Sequence, residues 1–485
     1  MTLRCPSIAI LAILFIVLSC GDKNVLPPKP MAVVPSKGQL AWQEMEMNAF
    51  IHFTINTFTD KEWGFGDESP ELFDPTALDV DQWATSLKEA GFKGIILTCK
   101  HHDGFSLYPT KYSEHSIKNS PYKEGKGDIV KEVAEACKKH GLKFGVYLSP
   151  WDRNREDYGK ESYITYYRNQ LNEIFTQYGP IFEMWFDGAN GGDGYYGGAN
   201  EERKIDKTTY YDWETTLDSV SILQPQVLFF SDAGPDIRWC GNESGVGGET
   251  NWNTITTDTL YAGHPGITDL LNRGSEDGKS WVPAEVNTSI RPGWFYHAAE
   301  DSLVKSPEKL FETYLQSVGR GSNLLLNIPP DTRGLFHEND VKSLKGFKKM
   351  LDSAFSNDVA PKAEITASSS RGDAVAFDVK KLVDGDKDTY WATDDGVTTA
   401  QLQFGFQQPM EITYISLQEH IELGQRIKEF HIEAEIDGKW QTVAKGTTIG
   451  YKRIMPLKGV VSKDYRIVVD ASLACPVLSQ IQFFN

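Results

Sequence analysis

Cysteine is scarce in this chain and follows no pattern. Its six cysteines, Cys5, Cys20, Cys99, Cys137, Cys240 and Cys475, form no C-x-x-C pair, so neither a disulfide framework nor a zinc site can be read from their spacing. H-x-H and H-E-x-x-H are missing, which weighs against a metal-centred hydrolase. G-x-S-x-G is missing too, which weighs against a serine nucleophile on a strand-to-helix elbow. There is no P-loop, and no glycine-rich phosphate turn follows the first predicted strand. Positive charge is in deficit. With 49 Lys and Arg against 67 Asp and Glu, the formal net charge is −18, which disfavours nucleic acid and anionic membrane surfaces but not a neutral ligand. Aromatic residues, by contrast, make up 12% of the chain, and their faces suit the apolar faces of sugar rings.

The N-terminus reads as an address. Arg4 precedes an apolar run from Ile8 to Leu18 that is too short to span a bilayer comfortably. The segment Leu18-Ser19-Cys20-Gly21 resembles a bacterial lipobox, which implies that Cys20 becomes a lipid-modified N-terminus. Residues 1–20 are then a lipoprotein signal peptide and residues 21–37 a Pro-rich tether. The expected location is extracytoplasmic, in the periplasm or on the outer membrane or cell surface. Contact with a membrane is expected only through the lipid anchor.

From about Met47 to Asn327 one unit recurs: amphipathic helix, glycine, apolar strand, polar or aromatic cluster. "VDQWATSLKEAG" leads into "FKGIILTCKHHDGF", "IVKEVAEACKKHG" into "LKFGVYLSPWDRN", and "YYRNQLNEIFTQYG" into "PIFEMWFDGANGG". Apolar residues at three- and four-residue spacing predict helices, with Gly91, Gly141 and Gly179 as left-handed caps. The short, continuously apolar strands fit a parallel sheet buried on both faces. Further strands are expected at "NAFIHFT", "QVLFFSD", "WVPAEVN" and "NLLLNIP". The fold class is α/β, a (β/α)8-like TIM barrel over residues 38–357, closed by the helix "ENDVKSLKGFKKMLDSAF". Alternating segments such as "AQLQFGF" and "FHIEAEI" then predict an all-β sandwich over residues 358–485.

In such barrels the catalytic groups sit at the C-terminal strand ends. Those positions are His52, His101 and His102, Tyr147 with Trp151, Trp185 with Asp187, Asp232, and Glu285. Adjacent residues on a strand face opposite ways, so His101 and His102 are not expected to share an ion. Paired carboxylates remain, one as nucleophile and one as acid then base.

Here the motifs become specific. "MNAFIHFTINTF", "KEWGFG", "KHHDGFSLYPTKYS", "GVYLSPWDRN", "EMWFDGANG" and "GPDIRWCGNESG" together resemble the α-L-fucosidases of glycoside hydrolase family 29, over roughly residues 38 to 350. The resemblance implies a retaining exo-hydrolase that removes terminal α-L-fucose from an oligosaccharide or glycoconjugate without a metal or other cofactor. It makes Asp187 the nucleophile and places His52, Glu62, Trp63, His101, His102, Tyr147 and Trp185 in the fucose pocket. Arg238 and Trp294 are expected as pocket or subsite residues. "GPDIRWCGNESG" resembles the subfamily acting on α-1,3/1,4-linked fucose of branched, Lewis-type glycans, which implies Glu243 as acid/base, with Glu249 as the runner-up. A glycine-rich insertion after Asp187 is a departure that bears on aglycone specificity.

The C-terminal segment "LVDGDKDTYWATDDG" resembles the discoidin-like sandwich shared with family 32 carbohydrate-binding modules. It implies either a site for galactose-type sugars or a brace against the catalytic domain, and no row of exposed aromatics is evident, which favours the brace. Asp384, Asp386 and Asp388 offer oxygens for a structural calcium. Two other classes of function are a catalytically weak, glycan-binding surface lipoprotein on a glycosidase barrel, and a metal-dependent hydrolase using His101 and His102.

Overall fold

The computed structural model describes residues 25–189 and 192–485. The expected signal peptide and Cys20 lie outside the described residues. Strands β1 (Met47–Ile51), β2 (Gly94–Lys100), β3 (Lys143–Leu148), β4 (Glu183–Trp185), β5 (Leu228–Ser231) and β6 (Ile237–Trp239) run in chain order. A small antiparallel pair, β7 (Thr254–Ile255) and β8 (Ser280–Trp281), precedes β9 (Ala284–Ser289) and β10 (Asn323–Asn327). All but β7 and β8 close into one parallel barrel in which β6 neighbours β9 and β10 neighbours β1.

Period-two alternation divides the buried strand residues into two sets. Phe50, Ile96, Tyr147, Trp185, Phe230, Ile237 and Leu325 pack together in one cluster. Their neighbours Ala49, Ile51, Ile95, Leu97, Val146, Met184 and Leu326 belong to the other, with the helix side chains. Asp187 is two residues beyond Trp185, so the same alternation sends it to the interior at the strand's C-terminal lip.

The helices Val80–Ala90 and Ile129–His140 start at Asp79 and Asp128, whose carboxylates accept from the backbone N–H of Gln82 and Lys131 at 3.0 Å each. The first ends at Gly91, where φ of +96° favours glycine. Glu161–Gln177 ends one residue sooner than its pattern suggests, at Tyr178, with Gly179 next. The rhythm breaks once. Residues 232–236 alone join β5 to β6, with no helix between them, and the three residues of β6 escaped the sequence reading for that reason.

The helix Glu338–Phe355 closes the barrel, and Asp358 already bridges to Phe484 of the second domain. That domain is all-β and antiparallel: β11 (Glu364–Ala367), β12 (Trp391–Ala392), β13 (Ala400–Glu419), β14 (Ile427–Ile436), β15 (Lys439–Gly446), β16 (Arg453–Ser472) and β17 (Val477–Phe484). It has its own core, including Phe404, Ile415, Phe430, Ile467 and Phe483.

The stretch from Gly21 to Lys37, expected as a Pro-rich tether, is docked over much of its described part. Arg371 donates to the Leu26 carbonyl at 2.6 Å, Arg426 to Lys29 at 2.7 Å, and the Met31 N–H to Leu423 at 2.9 Å. Buried guanidinium groups need acceptors, and these carbonyls provide them. Asp384, Asp386 and Asp388 do not converge. Asp384 caps the Asp386 N–H at 2.9 Å and Asp386 caps the Asp388 N–H at 3.0 Å, so the carboxylates hold a turn.

Candidate active site

A cavity of about 290 Å³ opens at the C-terminal strand ends, at the small end of ligand pockets. Its wall includes His52, Glu62, Trp63, His101, His102, Trp185, Asp187, Glu243 and Trp294, all expected from the sequence. Phe50, Asp232, Trp239 and Asn287 also line it. Asp232 is one of the strand-end groups that the sequence offers, and Trp239 lies inside the motif that holds Glu243. Asn287 stands in "AEVN", two residues beyond Glu285, the residue that the sequence offers as that strand's end group.

Asp187 is held at both oxygens. Oδ2 accepts the Tyr147 hydroxyl at 2.9 Å and Oδ1 accepts the Ala189 N–H at 2.7 Å. Tyr147 thus acts from beneath the pocket through Asp187, since its own ring is fully buried. Gly188 is required next to the carboxylate, because a Cβ there would lie 2.2 Å from Asp232 Oδ2. Asp232 accepts the Gly263 N–H at 2.6 Å. Burial pushes its carboxyl up to about 6; the Gly263 bond opposes that shift and the Asp187 charge adds to it.

The histidines are oriented by what stands behind them. Asn327 donates to Ser289 and to the Trp294 carbonyl, so its oxygen, 2.9 Å from His52 Nδ1, makes that nitrogen the protonated one. Ser149 donates to the Trp151 carbonyl at 2.7 Å and therefore accepts from His102 Nδ1, also at 2.7 Å. His102 Nε2 is then a bare acceptor, 3.5 Å from Asp187 Oδ2. Burial lowers His52 to about 3 and His102 to about 4, against the raising influence of Asp187, and lowers His101 well below its usual range. Neutral imidazoles with free acceptor nitrogens suit sugar hydroxyls as donors.

One expectation about this cluster is corrected. The rings of His101 and His102 lie 4.1 Å apart, and His101, His102 and Asp187 each offer a donor atom within 4.8 Å of the others. Strand alternation does not separate the two histidines, because β2 ends at Lys100 and they sit in the turn beyond it.

Glu243 stands at the solvent-open mouth, its Oε2 accepting from Trp294 Nε1 at 3.3 Å. Burial raises its pKa; the Trp294 hydrogen bond opposes this, and the charges of Asp187 and Glu62 reinforce it. Glu62 itself accepts the backbone N–H groups of Trp294 and Phe295 at 2.9 and 3.1 Å, and meets His297 Nε2 at 2.7 Å. It therefore shapes the Trp294 loop as well as the pocket.

Three sequence assignments fail on geometry. Arg238 is fully buried and off the pocket wall, and all three of its guanidinium nitrogens are engaged, by the Leu271, Val282 and Trp252 carbonyls and Asn251 Oδ1. Glu249, the runner-up acid, is clamped between Arg320 and Arg453, outside the pocket. Glu285 is not at a rim. It lies fully buried on β9 behind Trp185, whose Nε1 donates to it at 2.9 Å, and burial raises it to about 7.

A parallel barrel whose C-terminal end gathers Asp187, Glu243 and two further carboxyl groups with histidines and tryptophans around one cavity defines a glycoside hydrolase. Residues 31–354 match the Alpha-L-fucosidase family and residues 364–469 the F5/8 type C domain. The chain belongs to the α-L-fucosidases of glycoside hydrolase family 29. It is 40% identical to Alpha-L-fucosidase 1 of Arabidopsis thaliana, over 96% of this chain and 90% of that protein. A glycoside hydrolase 29 family member from an unknown rumen bacterium is 45% identical and superposes with a TM-score of 0.85, over 94% of this chain and 78% of that one. A Ruminococcus gnavus GH29 fucosidase in complex with fucose is 30% identical, with a TM-score of 0.85 over 95% of this chain and 97% of that one.

Proposed function

We propose that the protein is a retaining exo-α-L-fucosidase that releases terminal α-1,3/1,4-linked L-fucose from branched, Lewis-type glycans. The observation that carries the reading is the placement of Asp187 and Glu243 on the wall of one cavity, with only Asp187 held by both Tyr147 and a backbone N–H. An Asp187 oxygen attacks the anomeric carbon and the glycosidic C–O bond breaks, while the Glu243 proton passes to the departing sugar oxygen. Water then attacks the glycosyl-enzyme, Glu243 takes its proton, and α-fucose leaves with Asp187 restored. His52 and His102 orient hydroxyls, and Trp63, Trp185 and Trp294 wall the apolar parts of the ring.

The Lewis-type preference is supported by the Glu243 segment alone. The lipobox-like residues 18–21 support a lipid anchor at Cys20 and an extracytoplasmic location. The capping roles of Asp384 and Asp386 weigh against a calcium site there.

Proton NMR of the first-formed product tests the mechanism: α-fucose should appear before mutarotation, and initial β-fucose would overturn it. The His101–His102–Asp187 cluster favours one second reading, catalysis through a divalent metal. Full activity after exhaustive chelation would remove it.

A further inference from the structure

The loop from β6 to β7, residues 240–253, carries Glu243 near its start, and the β domain holds its other end. Arg453 donates to the Glu249 carbonyl at 2.8 Å and to its carboxylate at 2.7 Å, and Thr447 donates to the same carbonyl at 2.9 Å. The Asn251 N–H reaches Thr448 Oγ1 at 2.8 Å. Gln425 binds the segment twice: its Nε2 donates to the Asn251 carbonyl at 2.9 Å, and its Oε1 accepts the Asn253 N–H at 2.8 Å. From the barrel side, Arg238 binds Asn251 and Trp252, which is its role here.

Little slack separates this anchorage from Glu243. The Gly247 N–H donates to Gln316 at 2.8 Å and Arg320 donates to the Gly247 carbonyl at 2.8 Å. Asn242 donates to the Val246 carbonyl at 2.9 Å, and a Cβ on Gly248 would sit 2.6 Å from two carbonyl oxygens. From residue 253 back to Glu243 the loop is thus hydrogen-bonded along its length, to the β domain at its far end and to Gln316 and Arg320 in between. Asp187, by contrast, takes its hydrogen bonds from barrel groups.

We propose that the β domain positions the acid/base carboxyl, with Gln425, Thr448 and Arg453 as positioning residues acting on Glu243 through the loop 240–253. This rests on the reading of Glu243 given above. Weakening the anchorage should impair proton donation to the leaving group and spare attack by Asp187.

The test uses the full chain with Gln425→Leu/Thr448→Val and Arg453→Lys, each checked by thermal melting. Lys452→Met is the control, because Lys452 and its neighbour Tyr451 contact the barrel at Glu46, away from this loop. Activity is measured on fucosides whose leaving groups grade from 2,4-dinitrophenol to phenol and on a Lewis trisaccharide. The anchorage variants should lose about 10- to 100-fold in kcat/KM on the poorest leaving groups and less than about twofold on the best. Lys452→Met should show no such slope. Thr448→Val alone is the milder variant if the double one does not fold, and must show the same slope at smaller amplitude. A uniform loss, no loss in a folded variant, or an equal slope in the control overturns the proposal. Glu243→Gln runs alongside. If it shows leaving-group dependence and the anchorage variants do not, the positioning role alone falls; if it shows none, the acid assignment falls and takes this role with it.

Discussion

Trp294 Nε1 and Glu243 Oε2 meet at 3.3 Å at the pocket mouth, and the Trp294 backbone N–H is held by Glu62. A donor aimed at a carboxyl stabilises its ionised form, so this contact opposes the rise that burial gives Glu243. Trp294→Phe deletes the donor and keeps a ring. The acid must be protonated to act, so its deprotonation sets the alkaline arm of kcat/KM. That arm should move to higher pH in Trp294→Phe, whatever the loss in absolute rate. An unchanged or lowered arm in the pH–rate profile would count against Glu243 as the acid.

Glu243→Gln removes the proton donor itself. Cleavage of a Lewis trisaccharide should fall by about 10²–10⁴-fold, while an activated aryl fucoside loses far less, since a good leaving group departs unprotonated. Azide should partly restore the aryl reaction and yield α-fucosyl azide, because it takes the place of the water that attacks the glycosyl-enzyme. Steady-state rates and product NMR decide both points.

Asp187→Asn should lose several orders of magnitude in kcat on every fucoside, activated or not. A loss under about tenfold corresponds to no more than about 1.4 kcal/mol and is incompatible with a nucleophile.

Gly188→Ala tests the fit between the nucleophile's turn and Asp232. The added Cβ falls 2.2 Å from Asp232 Oδ2, so the turn or Asp232 must move. A displacement on the order of 1 Å costs about 10²-fold, and kcat should fall accordingly in a protein that still folds. Adding Asp232→Ala should recover part of the loss. No recovery in single-turnover assays would show that the clash is not the cause.

Linkage preference is read from a panel. Lewis trisaccharides should be hydrolysed much faster than 2′-fucosylated lactose, through binding energy realised in the transition state. Equal kcat/KM values across the panel contradict the subfamily reading.

Local pattern alone carried much of this protein. Helix periodicity with Gly91 and Gly141 marked the caps, and the apolar run through Trp185 marked Asp187 as a strand-end group. Such features depend on residues a few positions apart, so they are written along the chain. The short β6 was not legible, because three residues without a flanking helix have no period to detect. Arg238 shares a motif with Glu243 and Glu249 follows it closely, yet one side chain is held by carbonyls inside the fold and the other by Arg320 and Arg453. Glu285 looked like a strand-end acid until burial behind Trp185 placed it deeper. Sequence determined which chemistry the chain could hold. Only packing decided which polar groups remain free to meet a substrate, because a buried donor or acceptor must be satisfied by whatever distant segment the fold brings to it.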